Sequence, residues 1–139
     1  MTAQFSHDRY NVLVKATFDK VTELSKLKGG EYSGDDDRLL NFRRLGVELG
    51  LPKETIWKVY VTKHWDAVSQ YIKDLNTGKT RPRLESLESR CDDLIVYLIL
   101  FKAMLIEAQE PKPMNGASPQ ERTTHQQQGQ WQEYSRIDL

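Results

Sequence analysis

Apolar residues recur along this chain at alternating spacings of three and four, the period of helices that bury one face. The pattern is densest from Leu84 to Glu107, where Leu87, Cys91, Leu94, Leu98, Phe101, Leu105 and Ala108 form one seam. Ile95, Ile99 and Ile106 lie beside it. The second half of this segment is therefore apolar nearly all round and is expected to be covered on more than one side. Its first turns differ: Glu85, Glu88 and Asp92 share a stripe, and Asp93 sits at the edge of the apolar run. The segment predicts a central helix with core at one end and carboxylates at the other.

Three further helices precede it. Ser6 or Asp8 can cap a first helix over residues 9–28, with Tyr10, Val14, Phe18, Val21, Leu24 and Leu27 as its stripe and Gly29-Gly30 as its stop. The glycine-punctuated loop that follows holds Glu31, Tyr32, Asp35, Asp36 and Asp37. One aspartate suffices to cap the next helix; the others exceed that need, but the spacing is not that of an EF-hand. A second helix over residues 38–49 turns Leu39, Phe42, Leu45 or Gly46, and Leu49 to one side, with Asn41 near its start. Gly46 costs about 1 kcal/mol relative to Ala in a helix, so it is expected to admit a neighbouring helix closely. Pro52 suits the first turn of a third helix over residues 53–75. Its main stripe is Trp57, Val61, Trp65, Val68, Ile72 and Leu75, and Ile56, Tyr60, His64, Ala67 and Tyr71 adjoin it. Residues 109–139 lose all periodicity and are rich in Gln, Pro, Ser and Thr, predicting a disordered tail. Its Trp131, Tyr134, Ile137 and Leu139 offer a short docking segment as the alternative. The expected fold is all-α, a four-helix, bundle-like domain over residues 6–108 with a flexible tail over 109–139.

Composition narrows the partners. The chain has 139 residues, with 20 basic and 20 acidic side chains balancing to zero formal charge. Such a balance argues against a broad grip on nucleic acid, which needs net positive surface to displace counterions. The single cysteine, Cys91, excludes an internal disulfide and is expected to be a small buried hydrophobe. No signal pattern opens the chain and no apolar run is long enough to span a bilayer, so a cytoplasmic protein without membrane contact is expected. Helices apolar on two sides predict a homo-oligomer.

The stretch from Lys28 to Glu107 resembles a set of small phage-encoded all-helical proteins through KGGEYSGDDDRLLNF at Lys28–Phe42, the pair Lys63-His64, and DLIVYLILFKAMLIE at Asp93–Glu107. If it is phage-encoded, its compartment is the host cytoplasm. More distantly, an acidic start followed by DL-x-x-YL is similar to helices of the MazG-like nucleotide pyrophosphohydrolases. That resemblance implies an all-α fold, magnesium held by paired E-x-x-E and E-x-x-D motifs, and cleavage of nucleoside triphosphates to monophosphates. The chain departs from the pattern: Arg90 stands where the glutamate before Asp93 is expected, and Glu85-x-x-Glu88 lies on the same helix instead of an earlier one.

The chemistry these residues can support follows from their types. Magnesium takes hard oxygen ligands, and Asp93, Glu88 and Asp37 are the candidate set, with Asp92 and Glu31 as alternatives. His64 is the candidate base, acting with Asp93. Lys63, Arg43, Arg44 and Arg90 can neutralise phosphate; Tyr32, Trp57 or Trp65 can stack a base; Asn41 and Glu31 can bind polar groups of a ligand. The expected function is magnesium-dependent hydrolysis of a nucleotide to monophosphate and pyrophosphate. A nucleotide-binding protein that sequesters a host signalling nucleotide without turnover is the alternative, and a bundle serving protein contacts alone is a third.

Overall fold

Helix α1 runs His7–Tyr32, α2 Leu40–Leu49, α3 Lys53–Thr77 and α4 Leu87–Gln109. The computed structural model describes residues 4–32 and 36–112, and these contain no strand, so the fold is all-α. The chain divides after Ala108, and the core, cavity and ion pairs described below belong to the unit ending there. The tail expected to be flexible, with Trp131 and Tyr134, lies beyond residue 112 and outside the described residues.

Local chemistry explains most of the boundaries. Ser6, not Asp8, caps α1, its Oγ accepting the Arg9 N–H at 3.2 Å. Gly50 and Gly78 end α2 and α3 in the left-handed conformation, each at φ 66°. Leu51 N–H donates to Gly46 O at 2.8 Å and Lys79 N–H to Asp74 O at 2.9 Å, closing the orphan carbonyls of each last turn. Pro52 sits at the N-cap of α3, one residue outside the expected first turn.

Two expectations about helix ends are corrected. Gly29-Gly30 does not stop α1, because a glycine ends a helix by turning left-handed and neither of these has positive φ. Gly29 instead lets Arg38 pack close: a Cβ there would lie 3.2 Å from Arg38 Cδ. The extra turn carries Tyr32 up to the bundle. Helix α4 begins at Leu87, three residues later than expected, because Ser86 caps it through the Ser89 N–H at 3.1 Å. Glu85 is thereby left off the helix.

The core gathers Val21, Leu39, Phe42, Ile56, Val96, Leu100 and Met104. Trp57 seals one side, its ring 4.7 Å from Phe101 and its Nε1 donating to Tyr97 O at 2.7 Å. The inward face of α4 is thus Asp92, Asp93, Val96, Leu100 and Met104, not the predicted seam. Cys91, Leu98 and Leu105 of that seam are exposed. On α3 both stripes reach the interior, Val61 from the one read as main and Ile56 and His64 from the adjoining one, while Trp65, Ile72 and Leu75 face outward. On α2 Leu39, Phe42 and Gly46 are buried as expected and Leu49 is exposed.

Ion pairs complete the assembly. Arg43 is shared between Asp37, at 2.9 Å, and Glu107, with Lys53 also reaching Glu107 at 3.5 Å, tying α2 and the start of α3 to the end of α4. Buried Asp74 clamps the connection after α3 through Arg81 at 3.0 Å and Gln70 at 3.0 Å. The Arg81 hydrogen bonds, then that of Gln70, draw its carboxyl down to about 2. The first half of α1 is different: Tyr10, Leu13 and Phe18 continue the stripe of Val21 and Leu24 yet are exposed. No helix among the described residues is long and apolar enough to cross a membrane.

Gly46 does admit a close approach, but of the chain's own turn and not of another helix. A Cβ there would lie 2.7 Å from Leu51 O, a backbone atom held by the α2 C-cap. Gly46→Ala is expected to destabilise by about 1–3 kcal/mol, outweighing the roughly 1 kcal/mol gained in helix propensity. Urea denaturation measures it, and a variant at least as stable as the parent would show that the turn yields freely.

Candidate functional site

The helices line a cavity of about 410 Å³ that is open to solvent on one side. Lys28 and Tyr32 come to it from α1, Arg38, Asn41 and Arg44 from the α2 region, Tyr60, Lys63 and His64 from α3, and Asp93 and Tyr97 from α4. Its floor is core: Phe42, Val96 and Leu100. Glu85, off the helix, contributes at the edge.

Asp93 is the electrostatic centre. It is 7% exposed, and an ionised carboxylate so buried must be paired. Lys28 Nζ bonds its Oδ1, and His64 Nδ1 lies 3.4 Å from its Oδ2. His64 thus faces the carboxylate and not the apolar core. Arg90 Nη1 lies 3.2 Å from the same His64 Nδ1. One ring nitrogen thus stands between a carboxylate, which can only accept, and a guanidinium, which can only donate. The surroundings favour the neutral ring: burial pushes the His64 pKa down, the Asp93 charge opposes this in part, and Arg90, Lys63 and Lys28 add to the depression. Tyr97 packs against the ring at 5.3 Å between centroids. Its phenol is pushed up by burial first and then by the Asp93 charge.

The cavity is cationic and aromatic. Neither Arg44 nor Lys63 is in an ion pair among the described residues. The two carboxylates that line it are both engaged, Asp93 as above and Glu85 with Arg90 at 3.0 Å. Such a lining suits a ligand that is anionic at one end and flat at another.

Of the residues expected to form a site, the structure brings together Tyr32, Asn41, Lys63, His64 and Asp93 around one cavity. Arg90 stands one contact behind its wall, against His64 and Glu85. The others lie apart from it. Arg43 is spent on Asp37 and Glu107, so its expected ligand role gives way to a structural one. Asp37 accepts the Leu39 N–H at 2.9 Å as well as Arg43, bracing the turn before α2, while the N-cap itself is Leu39, which has no capping side chain. Glu31 is exposed at the end of α1, and Glu88 is exposed in the first turn of α4. Trp57 packs on Phe101, away from the cavity, and Trp65 lines a separate apolar groove.

The magnesium set Glu88, Asp93 and Asp37 does not assemble. Among the described residues no three His, Cys, Asp or Glu side chains are placed to hold a metal ion. The donor chemistry agrees: Asp93 is occupied by Lys28, and Asp37 by Arg43. These residues do not fit the ion that the MazG resemblance implies. Sequence reasoning, for its part, passed over Lys28, Arg38, Tyr60 and Tyr97. For Lys28 a signal existed, since it lies seven residues after Val21 on the apolar stripe of α1. A cation there is either tolerated exposure or the partner of a buried anion, and it is the latter.

No protein-family model, curated protein or solved structure matches this chain.

The His64 environment fixes a pH dependence. With the folded pKa below the ordinary 6.5, the unfolded chain takes up a proton that the folded one refuses as pH falls through that value. The stability due to neutral His64 is therefore full above pH 6.5 and declines below it until the folded ring also protonates. In denaturant titrations from pH 8 to 5, the parent should lose stability relative to His64→Gln over this window. Parallel pH profiles would place the ring outside the buried, neutral state.

Proposed function

We propose that the cavity binds a nucleotide or nucleotide-derived molecule and holds it without turnover. The observation that carries this reading is that Lys63 and Arg44, without carboxylate partners among the described residues, line the same space as Tyr32, Tyr60 and Tyr97. The ammonium and guanidinium groups take phosphate oxygens, and the phenol rings supply faces and edges for a base. Asn41 can add hydrogen bonds to a base or sugar. Retention without hydrolysis is favoured because the carboxylates that would build a magnesium centre lie apart, and Asp93 is neutralised by Lys28. The resemblance to small phage proteins supports a role in sequestering a host signalling nucleotide. The similarity to MazG-like enzymes is supported by the all-α fold and by Asp93 lining the cavity, and speaks for a shared scaffold more than a shared reaction.

Calorimetry against nucleoside mono- and triphosphates and cyclic dinucleotides, with magnesium and with EDTA, tests this directly. One class is expected to bind in EDTA as well as in magnesium, with no pyrophosphate released. Lys63→Gln and Arg44→Gln should each weaken binding about tenfold, the loss of one charge-assisted hydrogen bond. Magnesium-dependent release of pyrophosphate would replace this reading with pyrophosphohydrolysis. Neither binding nor release would leave a bundle for protein contacts.

For the assembly we propose that two copies pair through the first half of α1. Its exposed Tyr10, Leu13 and Phe18 extend a stripe that lower down packs into the core at Val21. A free helical segment of this length is marginal in water. The stripe is also self-complementary, since an antiparallel pairing centred on Val14 sets Tyr10 of one copy against Phe18 of the other. Light scattering coupled to size exclusion is expected to give a dimer or a multiple of it, reduced to monomer by Leu13→Glu. A monomeric parent would overturn the pairing.

A further inference from the structure

The start of α4 holds an arrangement that the binding reading does not use. Ser86 caps the helix, so Glu85 stands just before it and Arg90 one turn in. Their side chains close over this turn with Glu85 Oε2 3.0 Å from Arg90 Nη1. The same Nη1 is 3.2 Å from His64 Nδ1. Glu85 and His64 both line the cavity, whereas Arg90 does not. Arg90, its side chain only 17% exposed, instead lines a neighbouring groove with Arg81 and Arg83, and the 47%-exposed Glu85 carboxylate paired with it lines both spaces.

We propose that Arg90 is a phosphate ligand held in reserve, and that Glu85 occupies its place until an anionic ligand displaces it. This rests on the nucleotide-binding reading and specifies which group selects the ligand's charge. The exchange is favourable in kind. A half-exposed carboxylate–guanidinium pair contributes little, because water and salt screen it and its side chain must be ordered. A phosphate brings more charge and oxygen geometry that matches the guanidinium fork. The guanidinium itself is held by its surroundings, on a largely buried side chain with Nη1 3.2 Å from His64 Nδ1. Nor does the backbone need to move. The connection before α4 is clamped by Asp74 to Arg81 at 3.0 Å and to Arg83 at 3.7 Å, so the Glu85 side chain swings on its own torsions into solvent. Glu85 is then the specificity-determining residue: a phosphate displaces it, and an uncharged nucleoside does not.

The test compares Glu85→Gln with Glu88→Gln, an exposed carboxylate one turn on whose loss changes net charge equally. The probes are the tightest-binding nucleotide of the calorimetric panel and its nucleoside. Glu85→Gln is expected to bind the nucleotide about two- to fivefold tighter, the range set by an exposed ion pair. Glu88→Gln should change it little, and nucleoside binding should stay level in both. In an Arg90→Gln background, confirmed as folded by circular dichroism, the nucleotide should bind about tenfold more weakly and the Glu85→Gln gain should vanish. If Glu85→Gln and Glu88→Gln act alike, or if the gain survives without Arg90, the exchange is overturned while nucleotide binding stands. If the parent binds no nucleotide in the panel, both fall together.

Discussion

A carboxylate in the middle of a helical core has to be neutralised, and most of this structure can be traced to how Asp93 is. It occupies an inward position of α4 one turn before Val96, where an apolar side chain would be ordinary. Removing it from water without a partner would cost several kcal/mol. Lys28 supplies the partner from α1. Lys20 does the same for Asp92 at 3.0 Å, two turns earlier on α1. These two pairs fix the rotation of α4 that apolar pattern leaves undetermined. Once Asp92 and Asp93 face α1, Val96, Leu100 and Met104 must face the core, and Leu98 and Leu105 must face away.

The same constraint shapes the cavity. Its most buried charge is already satisfied from within the protein, so the charged groups left to line it are mainly cationic. His64 shows the logic at one atom. Placed beside both Asp93 and Arg90, the ring could be drawn toward either protonation state, and burial together with three neighbouring cations decides for the neutral one. With Asp93 and Arg90 both against Nδ1, that nitrogen is engaged inside the protein, which fits a positioning role better than general-base chemistry.

How much of this was legible depends on which interaction decides each feature. The all-helical class followed from local chemistry, the spacing of three and four. The α2 face followed in large part too, with Leu39, Phe42 and Gly46 buried together and Leu49 alone of that reading exposed. The face of α4 did not follow, since a helix apolar on every side has no preferred rotation until the partners of its charges are known. Those partners lie 65 residues away for Lys28 and Asp93, beyond any pattern local to the helix. The site was legible in part for the same reason. His64 and Asp93 could be nominated by residue type, and long-range packing does bring them together. Arg43 and Asp37 could be nominated equally well, but their charges are consumed by each other and by Glu107.

The balance of charge therefore says more about this protein than its total. Zero net charge was read as an argument against broad electrostatic attraction, and it is one at long range. Locally, the carboxylates are not spread evenly against the cations. Arg43, Arg81 and Lys20 are matched at the periphery and in the helix connections, where their pairs hold helices and turns in place. Among the described residues Arg44 and Lys63 are in no ion pair, nor are the outward-facing Lys15, Lys26, Lys58 and Lys73, and of these Arg44 and Lys63 line the cavity. Local placement thus adds what the total hides: these two cations stand beside three tyrosines at one cavity in a chain that is neutral overall.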